Sequence, residues 1–223
     1  MTHDERLRRF EAGDLYVVIT GEFCAGRSPL AVLDAVLDAG VRIVQCREKR
    51  LDDGVYFDLA QEFQYRTAAA SALLIVDDRV DIALGVEADG VHLGSMDVPI
   101  VTARRIAPEL LIGASTHNLE QALEAEREGA SYVNIGPIFA TKTKTRTAGP
   151  LGPGAIAEIA PNLSIPFSCM GGIKPENIDQ VLSLGARHPA VVTAVTAAPD
   201  PRAAAAALRD RILSARGLAR PRV

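Results

Sequence analysis

The sequence predicts a single-domain α/β protein, residues 1–223, of the (β/α)8 TIM-barrel class. Three observations predict it. Short apolar runs alternate with amphipathic stretches about 25 residues apart, the rhythm of strand–helix units. The strand-like runs are apolar almost throughout, as expected of a parallel sheet covered on both faces. Eight such units fit in 223 residues, close to the roughly 250 of a closed barrel. An open doubly wound sheet is the alternative architecture, but no Gly-x-Gly-x-x-Gly follows the first strand.

Each element has its own signal. Leu15–Thr20 (LYVVIT) is β-branched and aromatic, hence a strand. Ser28 and Pro29 supply an N-cap and a first-turn proline for a helix to Ala39, ended by Gly40. Val41–Arg47 is the second strand, and a helix follows over Asp53–Ala70. Leu73–Val76 and Gly90–Leu93 are the third and fourth strands, with helices over Val80–Val86 and Pro99–Ile106. Leu111–Ser115 is a strand, and Asn118 caps a helix to Glu128. Tyr132–Ile135 is the sixth strand. Gly136–Gly149 lacks helical periodicity and reads as a long loop before a short helix over Pro153–Ile159. Phe167–Met170 is a strand, with a helix over Pro175–Leu184 closed by Gly185. Ala190–Val195 is the last strand, and Pro201–Ala215 is an alanine-rich closing helix. Residues 1–12 and 217–223 read as flexible tails, which leaves His3 in a mobile segment and His188 in a turn before Pro189.

Composition narrows the function. The net charge of −4 gives no field for nucleic acid. No apolar run reaches the roughly 20 residues that span a bilayer, and the first nine residues, MTHDERLRR, lack a secretory h-region. Three cysteines without a Cys-x-x-Cys pair suit a reducing, cytoplasmic setting. A homo-oligomer is left open.

In such a barrel the active site lies at the C-terminal ends of the strands, and unusual polar residues gather there. After the second strand, alternation puts Gln45, Arg47 and Lys49 on one face and turns Cys46 and Glu48 away. Two cations and an amide suit a polyanion such as a diphosphate, or else make ordinary salt bridges at a solvated strand end. Cys46 reads as a packed thiol. Asp78 and Asp97 follow the third and fourth strands. They suit Mg²⁺, which takes one or two carboxylates with waters and phosphate oxygens, or else they cap the next helices. Ser115 can bond a phosphate oxygen. His117 suggests a general base, although no Ser/His/Asp order accompanies it, and His92 reads as structural. Thr141–Arg146 (TKTKTR) offers hydroxyls and cations in one loop, as in a lid, or as an exposed basic loop. Gly171-Gly172 and Val192-Thr193-Ala194 follow or end the last two strands, the recurrent phosphate site of this fold.

Six segments in register resemble the thiamine-phosphate synthase family: QCREK at Gln45–Lys49, VDDRVDIAL at Val76–Leu84, ADGVHLGSMDVP at Ala88–Pro99, GASTH at Gly113–His117, GPIFATKTK at Gly136–Lys144, and GGI at Gly171–Ile173. The resemblance spans about Leu15–Leu208. It implies a cytoplasmic transferase with one Mg²⁺ per subunit that joins a hydroxymethylpyrimidine diphosphate to a thiazole phosphate, or its carboxylated form, and releases pyrophosphate. Carried over by position, Gln45, Cys46, Arg47, Glu48, Lys49, Asp77, Ser115 and Lys144 contact the pyrimidine diphosphate. Arg47, Lys49, Ser115 and Lys144 are the catalytic set, and Asp78 and Asp97 hold Mg²⁺. Thr141, Lys142, Thr143, Gly172, Val192 and Thr193 hold the thiazole phosphate.

This sequence departs from the family where Asp77 replaces a frequent Asn, Ser95 a usual Gln, and Thr193 a common Ser. Gly185-Ala186-Arg187-His188 also stands for Gly-Ala-Asp-Gly. Asp77 adds negative charge beside a diphosphate, which Arg79 is positioned in sequence to offset. The competing readings are a thiazole tautomerase-like paralogue using His117, a non-catalytic barrel that binds thiamine precursors, and another phosphate-binding barrel such as a sugar-phosphate isomerase.

Overall fold

The computed structural model describes residues 1–141, 143 and 149–218. Among them, eight parallel strands close into a barrel in sequence order: β1 (Tyr16–Ile19), β2 (Ile43–Cys46), β3 (Leu73–Asp77), β4 (Gly90–Leu93), β5 (Leu111–Thr116), β6 (Tyr132–Ile135), β7 (Phe167–Met170) and β8 (His188–Val191). The ring closes where Tyr16 and Val17 pair with Ala190 and Val191. The helices are α1 (His3–Ala12), α2 (Pro29–Asp38), α3 (Asp53–Ala69), α4 (Val80–Gly85), α5 (Ile100–Ile106), α6 (Leu119–Arg127), α7 (Gly154–Ile159), α8 (Ile178–Leu182), α9 (Thr193–Thr196) and α10 (Pro201–Ala215). No helix among the described residues is long and apolar enough to cross a membrane.

Strand alternation builds two cores. Val17, Val44, Cys46, Leu74, Val91, Ile112 and Val133 point outward and pack with the helices. Tyr16, Val18, Ile43, Leu73, Ile75, Leu111 and Tyr132 point inward and fill the barrel. With apolar side chains needed on both faces, the strands lose the apolar/polar alternation of a half-solvated sheet. The expected caps form: Ser28 Oγ accepts Leu30 N at 3.3 Å, and Asn118 Oδ1 accepts Gln121 N at 2.8 Å.

Three expectations are corrected. Residues 1–12 are not a loose tail: Thr2 and Glu5 form a capping box for α1, which lies across the N-terminal end of the barrel. Its one fully buried apolar residue, Phe10, stacks on Tyr132 with ring centroids 4.4 Å apart. His3 Nε2 reaches Ser131 Oγ at 2.9 Å, and Arg6 pairs with Asp89. Burying one phenyl ring contributes about 1.5–3 kcal/mol, enough to dock an otherwise charged helix. Second, the last strand starts at His188, which is buried rather than in a turn, and it stops at Val191 so that Thr193 opens α9. Third, α8 begins at Ile178, after a turn at Pro175–Asn177.

The segment before β1 and helix α10 are clamped together at that same end of the barrel. Arg209 on α10 grips Asp14 through Nη2–Oδ2 at 2.8 Å and Nε–Oδ1 at 2.9 Å, and its Nη1 donates to Ala39 O at 2.6 Å. The expected tail at 217–223 lies outside the described residues from position 219 onward.

Candidate active site

At the opposite end, where the strands finish, the barrel opens into a cavity of about 890 Å³. Its two sides differ in chemistry. On one side the ends of β2, β3 and β4 bring up Arg47, Lys49, Asp77, Asp78 and Asp97. Lys49 Nζ lies 2.7 Å from Asp77 Oδ2 and also contacts Asp78, while Arg47 Nε lies 3.4 Å from Asp77 Oδ2. Asp78 holds φ at +61°, a left-handed conformation that aspartate tolerates better than most residues and that concentrates at functional sites.

Neither Asp78 nor Asp97 caps a helix. The N-cap positions of α4 and α5 are Arg79 and Pro99. Instead Asp97 Oδ2 accepts Gly94 N at 2.7 Å, and its carboxyl stands near enough to that of Asp78 for the two to interact electrostatically. The electrostatics follow from this crowding. Burial pushes Asp77 up, Asp78 adds to the rise, and Lys49 and Arg47 oppose it. Burial also works against ionised Asp78, but Lys49 outweighs it and leaves that carboxyl below its ordinary value. Asp97 is raised, by burial first and then by Asp78.

Lys49 is the cation that pairs with Asp78, and Asp97 stands near it on the same open cavity. Among the described residues no group of three or more His, Cys, Asp or Glu forms a metal cage. The donor set fits Mg²⁺, which takes few carboxylates and completes its octahedron with waters and substrate oxygens.

The other side is built from backbone. Gly171 and Gly172 hold φ at +106° and +63°, and a Cβ on Gly172 would collide with Ala140 O and Phe139. Only glycine permits this close turn. Next to it Val192, Thr193 and Ala194 line the cavity where α9 begins, so unpaired helix N–H groups are available to an anion. Thr141 and Thr143 line the same side, with their hydroxyls 3.1 Å apart.

Known proteins are similar to this chain over most of its length. The family model for thiamine monophosphate synthase matches residues 15–195. The chain belongs to the thiamine monophosphate synthase family. It is 46% identical to the thiamine-phosphate synthase of Chloroflexus aurantiacus over 195 residues, covering 87% of this chain and 90% of that one. Against the thiamine-phosphate synthase of Moorella thermoacetica the identity is 40% over 205 residues, 92% of this chain and 98% of that one. Among solved structures, thiamine phosphate pyrophosphorylase from Pyrococcus furiosus superimposes with a TM-score of 0.86 at 36% identity, covering 93% of this chain and 98% of that one.

Within this thiamine monophosphate synthase family member, the cavity gathers Gln45, Arg47, Lys49, Asp77, Asp78, Asp97, Ser115, Thr141, Thr143, Gly172, Val192 and Thr193. Two residues implied by the family pattern do not reach it. Cys46 is fully buried in the outer core, and Glu48 turns back so that its Oε1 accepts Gly21 N at 2.7 Å. Strand alternation is the physical reason for both. Burial also pushes the Cys46 thiol well above its ordinary value, which makes it inert. Lys142 and Lys144 lie outside the described residues.

Arg79 does not offset Asp77. It faces outward to Asp53 and Asp81, and Arg47 and Lys49 take that role. His117 lines the cavity, with Nδ1 donating to Gly136 O. Sequence reading passed over Asn134, Met170 and Lys174, which also line it. Asn134 was within reach: two residues after inward-facing Tyr132, it shares the inner face of β6.

Proposed function

We propose that this thiamine-phosphate synthase joins 4-amino-2-methyl-5-(diphosphooxymethyl)pyrimidine to 4-methyl-5-(2-phosphooxyethyl)thiazole, or its carboxylated form, with release of pyrophosphate. The observation that carries this reading is one cavity with Arg47 and Lys49 at one side and the Gly171–Gly172 and Val192–Ala194 backbone at the other. Two phosphorylated rings then fit with their reacting atoms between.

The reaction is a dissociative substitution. Arg47 and Lys49 donate hydrogen bonds to the departing pyrophosphate and take up charge that grows in the transition state, where stabilisation raises kcat. Asp78 and Asp97 are the residues to hold Mg²⁺. When bound, Mg²⁺ would supply further neutralisation of the diphosphate oxygens. The aminopyrimidine ring delocalises positive charge on its methylene. The glycine cradle and Thr193 fix the thiazole phosphate, so the ring nitrogen is held in line for attack. No protein nucleophile is required, and Lys144 serves as an additional cation toward the pyrophosphate.

The test is pyrophosphate release with both substrates, with and without Mg²⁺. Release that needs both substrates and the metal is expected. Tautomerisation of the thiazole without pyrophosphate, or tight binding without turnover, would overturn the reading in favour of the paralogue or the non-catalytic barrel.

A further inference from the structure

Beneath the cavity a continuous chain of polar side chains crosses the barrel interior. Gln45 Nε2 donates to Tyr16 Oη at 2.8 Å, Tyr16 Oη lies 3.0 Å from Tyr132 Oη, Tyr132 Oη lies 3.2 Å from His92 Nδ1, and His92 Nε2 lies 3.0 Å from Ser115 Oγ. The members come from β2, β1, β6, β4 and β5, so the chain runs across the barrel rather than along its wall. Gly113 makes room for it: a Cβ there would collide with the Tyr132 ring and hydroxyl and with His92 Nδ1.

We infer that Tyr16, Tyr132 and His92 form a one-way hydrogen-bond relay that sets Ser115 as a donor into the cavity, which makes all three positioning residues for the substrate acceptor that Ser115 meets. The inferred direction starts at Gln45, whose amide donates into the chain at Tyr16, and follows the hydrogens that the later members have to give. Each phenol has one to give, and burial pushes both tyrosines up, so neither ionises. Tyr16 already accepts from Gln45 and gives its hydrogen to Tyr132. Tyr132 in turn gives its hydrogen to His92 Nδ1. A neutral imidazole that accepts at Nδ1 carries its hydrogen on Nε2 and donates it to Ser115 Oγ. The Ser115 hydrogen is then left to point at the ligand. A serine with a free rotor could accept or donate, whereas this one discriminates for an acceptor such as a phosphate oxygen or an unprotonated ring nitrogen. The inference rests on the synthase reading for the identity of that ligand, but the relay itself does not depend on turnover.

The first measurement is the tautomer of His92 by ¹⁵N NMR of histidine-labelled protein at neutral pH, assigned by the signals lost in His92→Asn. The Nε2–H form is expected, and the Nδ1–H form overturns the relay direction. The second is turnover. His92→Gln places an amide nitrogen where Nε2 stood and should keep kcat within about threefold. His92→Asn cannot reach Ser115 and should fall about tenfold, the value of one lost hydrogen bond. In a Ser115→Ala background Tyr132→Phe should cost nothing further. Losses that instead multiply would mean that Tyr132 acts only on the fold, and the proposal fails. Absence of any turnover in the unaltered chain would remove the synthase reading and leave the NMR result standing.

Discussion

Lys49 and Asp77 are joined through Nζ and Oδ2 at 2.7 Å across the ends of β2 and β3, so a cation meant for substrate already carries a protein anion. Arg47 leans on the same oxygen. Asp77→Asn removes that charge while keeping the shape. At an effective dielectric of about 20, like charges roughly 6 Å apart repel by about 3 kcal/mol before screening. The expected outcome is a KM for the pyrimidine diphosphate about 3–10-fold lower. Steady-state kinetics at saturating thiazole phosphate check it, and a higher KM would count against the electrostatic account.

The nearness of Asp78 and Asp97 makes a second prediction. Asp78→Asn keeps a residue that accepts positive φ, and Asp97→Asn keeps an oxygen for Gly94 N, so both should fold. Each should raise the Mg²⁺ concentration for half-maximal turnover by at least about tenfold. A magnesium titration that superimposes on that of the unaltered chain would remove both residues from the metal site.

Arg209→Met breaks the buried grip on Asp14 and Ala39 O. Removing one partner leaves a buried charge uncompensated, at a cost of about 3–5 kcal/mol. In a chain of this size that is a fall in Tm of about 6–20 °C. The pair sits at the end of the barrel away from the cavity, so kcat at 25 °C should stay close to normal. Calorimetry with a parallel assay separates the two.

His188 gives a pH prediction. Burial, with Arg216 and Arg187 nearby, pushes its imidazole down to about 3. On acidification the unfolded chain therefore binds this proton first, near its ordinary value of about 6.5. The contribution of His188 is complete above about pH 6.5 and is lost at about 1.4 kcal/mol per pH unit as pH falls toward 3. Urea unfolding at pH 7 and pH 5 should show about 2 kcal/mol of extra loss relative to His188→Gln. Equal losses in the two proteins would mean that His188 is not kept neutral.

The barrel was legible because most strand residues are apolar on both faces, as a covered parallel sheet requires. The site was legible where strand alternation carried past the strand end, as in Gln45, Arg47 and Lys49. It failed where position in a motif was taken as contact: Cys46 and Glu48 are two residues apart and both face outward. Arg79 was misplaced for a related reason, since the left-handed turn at Asp78 redirects the chain and sends Arg79 to Asp53 and Asp81. The first helix was missed because its charged surface hides one decisive aromatic residue, Phe10. The polar floor was invisible because its five residues lie far apart in sequence and meet only when the ring closes.

Phe10 stands more than a hundred residues before Tyr132, the ring it rests on. During synthesis this helix is made well before β6 and β8, so Phe10 at that stage has only part of its seat, the face of Tyr16 and its neighbours, without Tyr132 and His188. The ring of Phe10 gains its stacking partner only once Tyr132 is in place. A nascent chain stalled before the sixth strand would expose part of the aromatic face of α1, a ready target for holdase chaperones.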